Sequence, residues 1–98
     1  MDRKQAIILA KEYKEAIKGL FDEPRVYLYG SYSKGGAEND SDIDIAVVIP
    51  ELKGNWIEII PMLWAATRKV STLIEPVLLE DVHPSPLYDD VMRTGIVV

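Results

Sequence analysis

Asp42 and Asp44 stand two apart in the chain, which is the spacing that puts two carboxylates on one face of a strand. Two like charges so placed raise the pKa of one or both unless a cation lies between them. Magnesium suits such a pair, because it takes hard oxygen ligands from one or two carboxylates and completes its shell with water and phosphate. Ile43 and Ile45 flank the acids on the other face and would bury it, which fixes where the carboxylates point. Gly30 and Ser31 follow an apolar run and form the second half of the pattern. A glycine directly after a strand lets the backbone turn sharply and approach a ligand closely. A helical turn opening at Ser31 would offer free N–H groups to phosphate, with the hydroxyl as a further donor and Lys34 in reach.

The elements that must position these residues can be read from periodicity. Residues 2–21 carry Ala6, Leu9, Ala10, Tyr13, Ala16, Ile17 and Leu20 at helical spacing, and Pro24 follows. Residues 25–29 alternate as a strand, with Val26 and Leu28 on one face and Tyr27 and Tyr29, read as sheet packing, on the other. Residues 30–41 are rich in Gly, Ser, Asn and Asp and form a loop, with room for one helical turn after Ser31. Residues 43–49 make a second strand, closed by Pro50. Asn55 and Glu58 resemble a helix N-cap pair. They precede an apolar stripe of Trp56, Ile59, Ile60, Leu63, Trp64 and Thr67, which reads as core with the two tryptophans also suited to an interface. Pro61 should kink that helix or delay its start. Residues 73–79 form a third strand, and Pro76 within it calls for an edge position or a bulge. Residues 86–94 form a short helix stopped by Gly95, and residues 96–98 can add to the sheet. This order gives one α+β domain over residues 1–98, a small mixed and twisted sheet backed by helices.

Composition narrows the function. Eleven basic against sixteen acidic residues leave a net charge of −5, which disfavours direct nucleic-acid binding and suits a site that gathers cations. There is no cysteine, hence no disulfide and no thiolate metal site. The N-terminal residues lead into a charged amphipathic segment and not a signal peptide, and the apolar run 45–49 is too short for a bilayer. A cytoplasmic protein without a membrane role is the expectation. Asp40, Asp42, Asp44 and Glu51 mimic an EF-hand, but Ile45 stands where that loop needs glycine. A Walker loop fails as well, since Gly35 is followed by Gly36 and Ala37. His83, in a loop before Pro84, reads as a surface residue.

Gly30 and Ser31, then Ser41, Asp42, Ile43 and Asp44, with ten residues between Ser31 and Asp42, resemble the signature of the nucleotidyltransferase superfamily related to DNA polymerase beta. The closer resemblance is to its minimal nucleotidyltransferases, and it extends from the leading helix to a tail at residues 87–96. It implies a palm-like fold and nucleotide binding by Gly30, Ser31, Lys34 and Ser41. It also implies a third carboxylate from the next strand, at the position of Glu75, where relatives commonly carry aspartate. Asp42, Asp44 and Glu75 would then be both the metal ligands and the catalytic residues of a site for two magnesium ions. One ion would bind the triphosphate of ATP or another nucleotide, and the other would lower the pKa of the attacking hydroxyl. Attack at the α-phosphorus would attach a nucleoside monophosphate, AMP for ATP, and release pyrophosphate. Many minimal nucleotidyltransferases are encoded beside HEPN-domain proteins, so the resemblance implies the antitoxin of a toxin–antitoxin pair that modifies its partner. Larger relatives carry further domains to hold the acceptor, and a partner with a basic facing surface would supply that orientation here. Two alternatives stand beside this one: a homo-oligomer acting on a small molecule, and a catalytically silent module that binds nucleotide or partner.

Overall fold

The computed structural model describes residues 1–37 and 41–98. The loop reading at 38–40, and with it Asp40, lies outside the described residues. The chain runs α1 (Arg3–Ile17), β1 (Arg25–Tyr29), α2 (Ser31–Lys34), β2 (Ile43–Ile49), α3 (Trp56–Thr67), β3 (Ile74–Glu80), α4 (Pro86–Thr94) and β4 (Ile96–Val97). The strands form one mixed sheet in the order β3-β2-β1-β4. β1 pairs antiparallel with β2 and β4, and β2 pairs parallel with β3 across the α3 crossover. The α+β class expected from the sequence is the one observed.

Asp2 caps α1 by accepting from the Gln5 N–H, and the Gln5 side chain accepts from Asp2 N–H in return. The helix ends at Ile17, four residues short of the sequence reading. Leu20 keeps the apolar spacing, but its N–H donates to Ile17 O at 2.9 Å in a tight turn. Ala6, Ala10, Tyr13 and Ile17 pack α1 onto one sheet face beside Leu63 of α3. Burial pushes the Tyr13 hydroxyl pKa up, and that hydroxyl donates to Leu63 O at 2.7 Å, tying α1 to α3.

α3 starts at Asn55, whose side chain accepts from the Ile57 N–H, and it contains Pro61. It buries Leu63, Ala66 and Thr67. The tryptophans correct the sequence reading: Trp56 is 41% exposed and Trp64 46%, so neither is core. An apolar arc this broad left open which part would meet the sheet, and Ile59, Leu63 and Ala66 took that place. β3 begins one residue later than expected and lies at the sheet edge, where Pro76 costs no ladder hydrogen bond. The opposite sheet face has a smaller cover. There α4 sets Val91 against Ala46 and Val48, with Tyr27, Tyr29, Val77, Leu79 and Tyr88 around them.

Candidate active site

The register of the sheet assembles the acids. Asp44 lies opposite Tyr29 across the antiparallel pair and beside Glu75 across the parallel one. Opposed residues share a face, so Tyr29, Asp44 and Glu75 stand side by side on the face that carries α4. Asp42 is one residue outside β2 and exposed, and Ile43 N–H donates to Leu73 O at 2.8 Å where the strand begins.

The charges are coupled. Burial, and then the neighbouring Asp42, push the Asp44 carboxyl above its usual range. Glu75 is pushed up first by repulsion from Asp42, then by slight burial, by Asp44 and by a hydrogen bond with Asp42. Tyr29 is half-buried, and its hydroxyl is pushed up to about 12, first by burial and then by Asp44 and Glu75. Burial is therefore the first cause at Asp44 and Tyr29, and the charge of Asp42 the first cause at Glu75.

Gly30 closes against this cluster. Its φ of 72° and ψ of −144° lie where only glycine is at ease. A Cβ there would overlap Asp44 Oδ2, so the turn and the carboxylate are fitted to each other. Ser31 opens the single helical turn α2 as the sequence suggested, with Ser33 and Lys34 N–H groups donating to Gly30 O. Arg3 holds the far side of that turn, its Nε donating to Tyr32 O at 2.8 Å and Nη2 to Ser33 O at 2.9 Å.

Lys34 is already engaged. Its Nζ lies 3.0 Å from Asp90 Oδ2 of α4, and it must leave that pair to reach a phosphate. Ser41 is half-buried directly ahead of Asp42. Asp42, Asp44, Glu75, Gly30 and Ser31 therefore meet at one end of one sheet face. Sequence reasoning missed Tyr29 and Arg3. Alternation put Tyr29 opposite Val26 and Leu28, but only the β1–β2 register shows which acids it faces.

Among the described residues, no three His, Cys, Asp or Glu side chains are already closed into a metal-holding set. The donors still fit magnesium in kind, since one or two carboxylates suffice when substrate phosphates complete the shell. A cavity of about 650 Å³ lies elsewhere, at the far end of β2 beside Ile49, Leu52 and Ile59. Its wall is mainly apolar but includes Asp22, Glu51, Lys53 and Glu58, and none of Asp42, Asp44 and Glu75. No helix among the described residues is long and apolar enough to cross a membrane.

The family model described as polymerase beta, nucleotidyltransferase matches residues 11–98. A protein of Methanocaldococcus jannaschii, provisionally named a protein adenylyltransferase, is 28% identical over 96% of this chain and 99% of its own length. A crystal structure from Sulfolobus solfataricus, provisionally identified as a nucleotidyltransferase, superposes with a TM-score of 0.70 at 24% identity. That match covers 97% of this chain and 80% of the other. A toxin–antitoxin crystal structure with AMP-PNP superposes with a TM-score of 0.67 at 21% identity, over 90% of this chain and 70% of that one. At these identities the two structures speak for the fold.

Proposed function

The chain belongs to the polymerase beta nucleotidyltransferase family, and from that premise we propose that it transfers AMP from ATP to a hydroxyl side chain of a separately encoded HEPN-type partner. The observation that carries this reading is the register that sets Asp44 beside Glu75, with Asp42 adjacent, on the open end of the sheet. The provisional protein-adenylyltransferase name of the archaeal relative supports a protein acceptor and an adenylyl group. The toxin–antitoxin neighbour solved with AMP-PNP supports an ATP-like nucleotide and a partner protein.

Asp42, Asp44 and Glu75 would hold magnesium, which when bound neutralises triphosphate charge and lowers the pKa of the attacking hydroxyl. Gly30 leaves room for the Asp44 carboxylate to close against its backbone, and the turn it begins would offer the Ser31 N–H to phosphate. Arg3 keeps that turn in place through its two carbonyl contacts. The acceptor hydroxyl loses its proton to solvent as its oxygen bonds to the α-phosphorus, and the bond from that phosphorus to pyrophosphate breaks. The chain's contribution is orientation and charge placement, which can be a large part of the rate. The excess of acidic residues favours a partner whose facing surface is basic.

The test is incubation with each labelled nucleoside triphosphate, magnesium and lysate of the native host, followed by mass spectrometry of the labelled species. ATP should label a HEPN-type protein at a Ser, Thr or Tyr hydroxyl with AMP. Absence of any nucleotide adduct on protein would contradict the proposal.

A further inference from the structure

Helix α3 presents to the outside a surface that nothing among the described residues covers. Ile57, Pro61 and Trp64 follow one another at spacings of four and three, so they form a single stripe along the helix. Ile57 is 82% exposed, and Trp56, Met62 and Trp64 are exposed on the same 12-residue helix. A lone exposed apolar side chain is ordinary, whereas a run of large ones marks a surface that is covered in use. The stripe ends in opposite charges. Glu58 lies in its first turn, Arg68 caps its end and Lys69 follows. None of the three enters an ion pair among the described residues. That polarity also suits the helix dipole, so it is not itself the sign of a contact. Once the stripe has to be covered, however, the polarity selects the cover.

We propose that α3 is the contact surface of a twofold dimer in which the α3 helices of two copies pack antiparallel. A twofold axis between Pro61 and Trp64 brings the Glu58 end of each helix beside the Arg68 end of the other. The same attractive pair then forms twice, as an isologous contact requires. A parallel pairing would set Glu58 against Glu58 and Arg68 against Arg68. A second copy therefore supplies both the apolar cover and the complementary charges, although each chain carries a net charge of −5. The α1–α3 layer lies on the sheet face opposite Asp44 and Glu75, so the contact leaves both carboxylate clusters open. The inference is independent of the proposed transfer reaction and is tested without nucleotide or partner.

Sedimentation velocity of the chain alone, from nanomolar to submillimolar concentration, should show a monomer–dimer equilibrium. Ile57→Asp should shift it to monomer with an unchanged circular dichroism spectrum, because Ile57 contributes to no core contact. Glu58→Lys should weaken the dimer several-fold or more by placing like charges together, and adding Arg68→Glu should restore it by reversing both pairs. A monomer at every concentration would overturn the proposal, as would a dimer indifferent to Ile57→Asp. Failure of the double reversal to restore association would overturn the antiparallel arrangement. A monomer that binds a host protein through Ile57 would assign the stripe to that protein and not to a second copy.

Discussion

The two faces of the sheet draw on the same strands but are finished differently. One face is closed by α1 and α3, which bury Tyr13, Ile17, Ile45, Val47 and Leu63 in the larger cluster. The other carries only α4 over Ala46 and Val48, and beyond that cover lie Tyr29, Asp44 and Glu75. In β2 the division follows parity. Ile43, Ile45 and Val47 hold the fold together, while Asp44 belongs to the open face. The closed face supplies the stability against which three mutually repelling acids can be kept close. Substitutions on the two faces should accordingly separate folding from catalysis.

The largest separation is expected at Asp44. Asp44→Asn should lower nucleotidyl transfer by about a thousandfold, comparable to removing a principal charge-stabilising group elsewhere. Its melting temperature at neutral pH should stay equal or rise. Asp44 has a folded pKa above its unfolded one, so its contribution to stability is present in acid and lost as pH rises through the folded value. A neutral amide is spared that loss. A turnover assay and a thermal melt on the same sample would decide it, and a melting temperature that fell with activity would break the comparison.

Leu63→Ala on the closed face should reverse the pattern, costing about 2–5 kcal/mol in urea unfolding. Val91→Ala, under the smaller cover, should cost only about 1–2 kcal/mol. Equal costs would mean that α4 stabilises the sheet as much as α1 and α3 do.

Gly30 joins the two kinds of effect. Gly30→Ala meets a positive φ and the Asp44 carboxylate together, so it should cost about 1–3 kcal/mol and reduce transfer as well. An unaltered melt would show that the turn can shift away from Asp44.

How far these features could be read from the sequence depended on distance along the chain. Gly30, Ser31, Asp42 and Asp44 were legible because turn chemistry and strand alternation act over a few residues. Glu75 was reached only through family resemblance, since its place beside Asp44 depends on the β2–β3 register. Arg3 gave no local signal, its partners Tyr32 and Ser33 lying 29 and 30 residues away. Nothing near Lys34 in the chain signals its pairing, because Asp90 is 56 positions distant. The α3 tryptophans were misassigned because helical spacing identifies an apolar arc and not the part of it that meets the sheet.

The smallest effect is expected at Asp81, which joins strand and helix away from the acids. Arg25 first, and then Tyr88, hold its carboxyl below the usual range, with Arg25 Nη2 at 2.6 Å and Tyr88 OH also at 2.6 Å. A depressed folded pKa stabilises above the unfolded value, and that contribution is lost as pH falls through the folded one. Asp81→Asn should therefore cost under about 1 kcal/mol at neutral pH, reduced by solvent screening, and nothing in strong acid. Urea unfolding at both pH values would show the difference closing.

The claim that the open face binds nucleotide through its carboxylates is checked most directly by calorimetric titration with magnesium ATP. The wild-type chain should bind, and the double variant Asp42→Asn, Asp44→Asn should not, while melting at the same temperature or higher. Unchanged affinity in a folded double variant would contradict the claim.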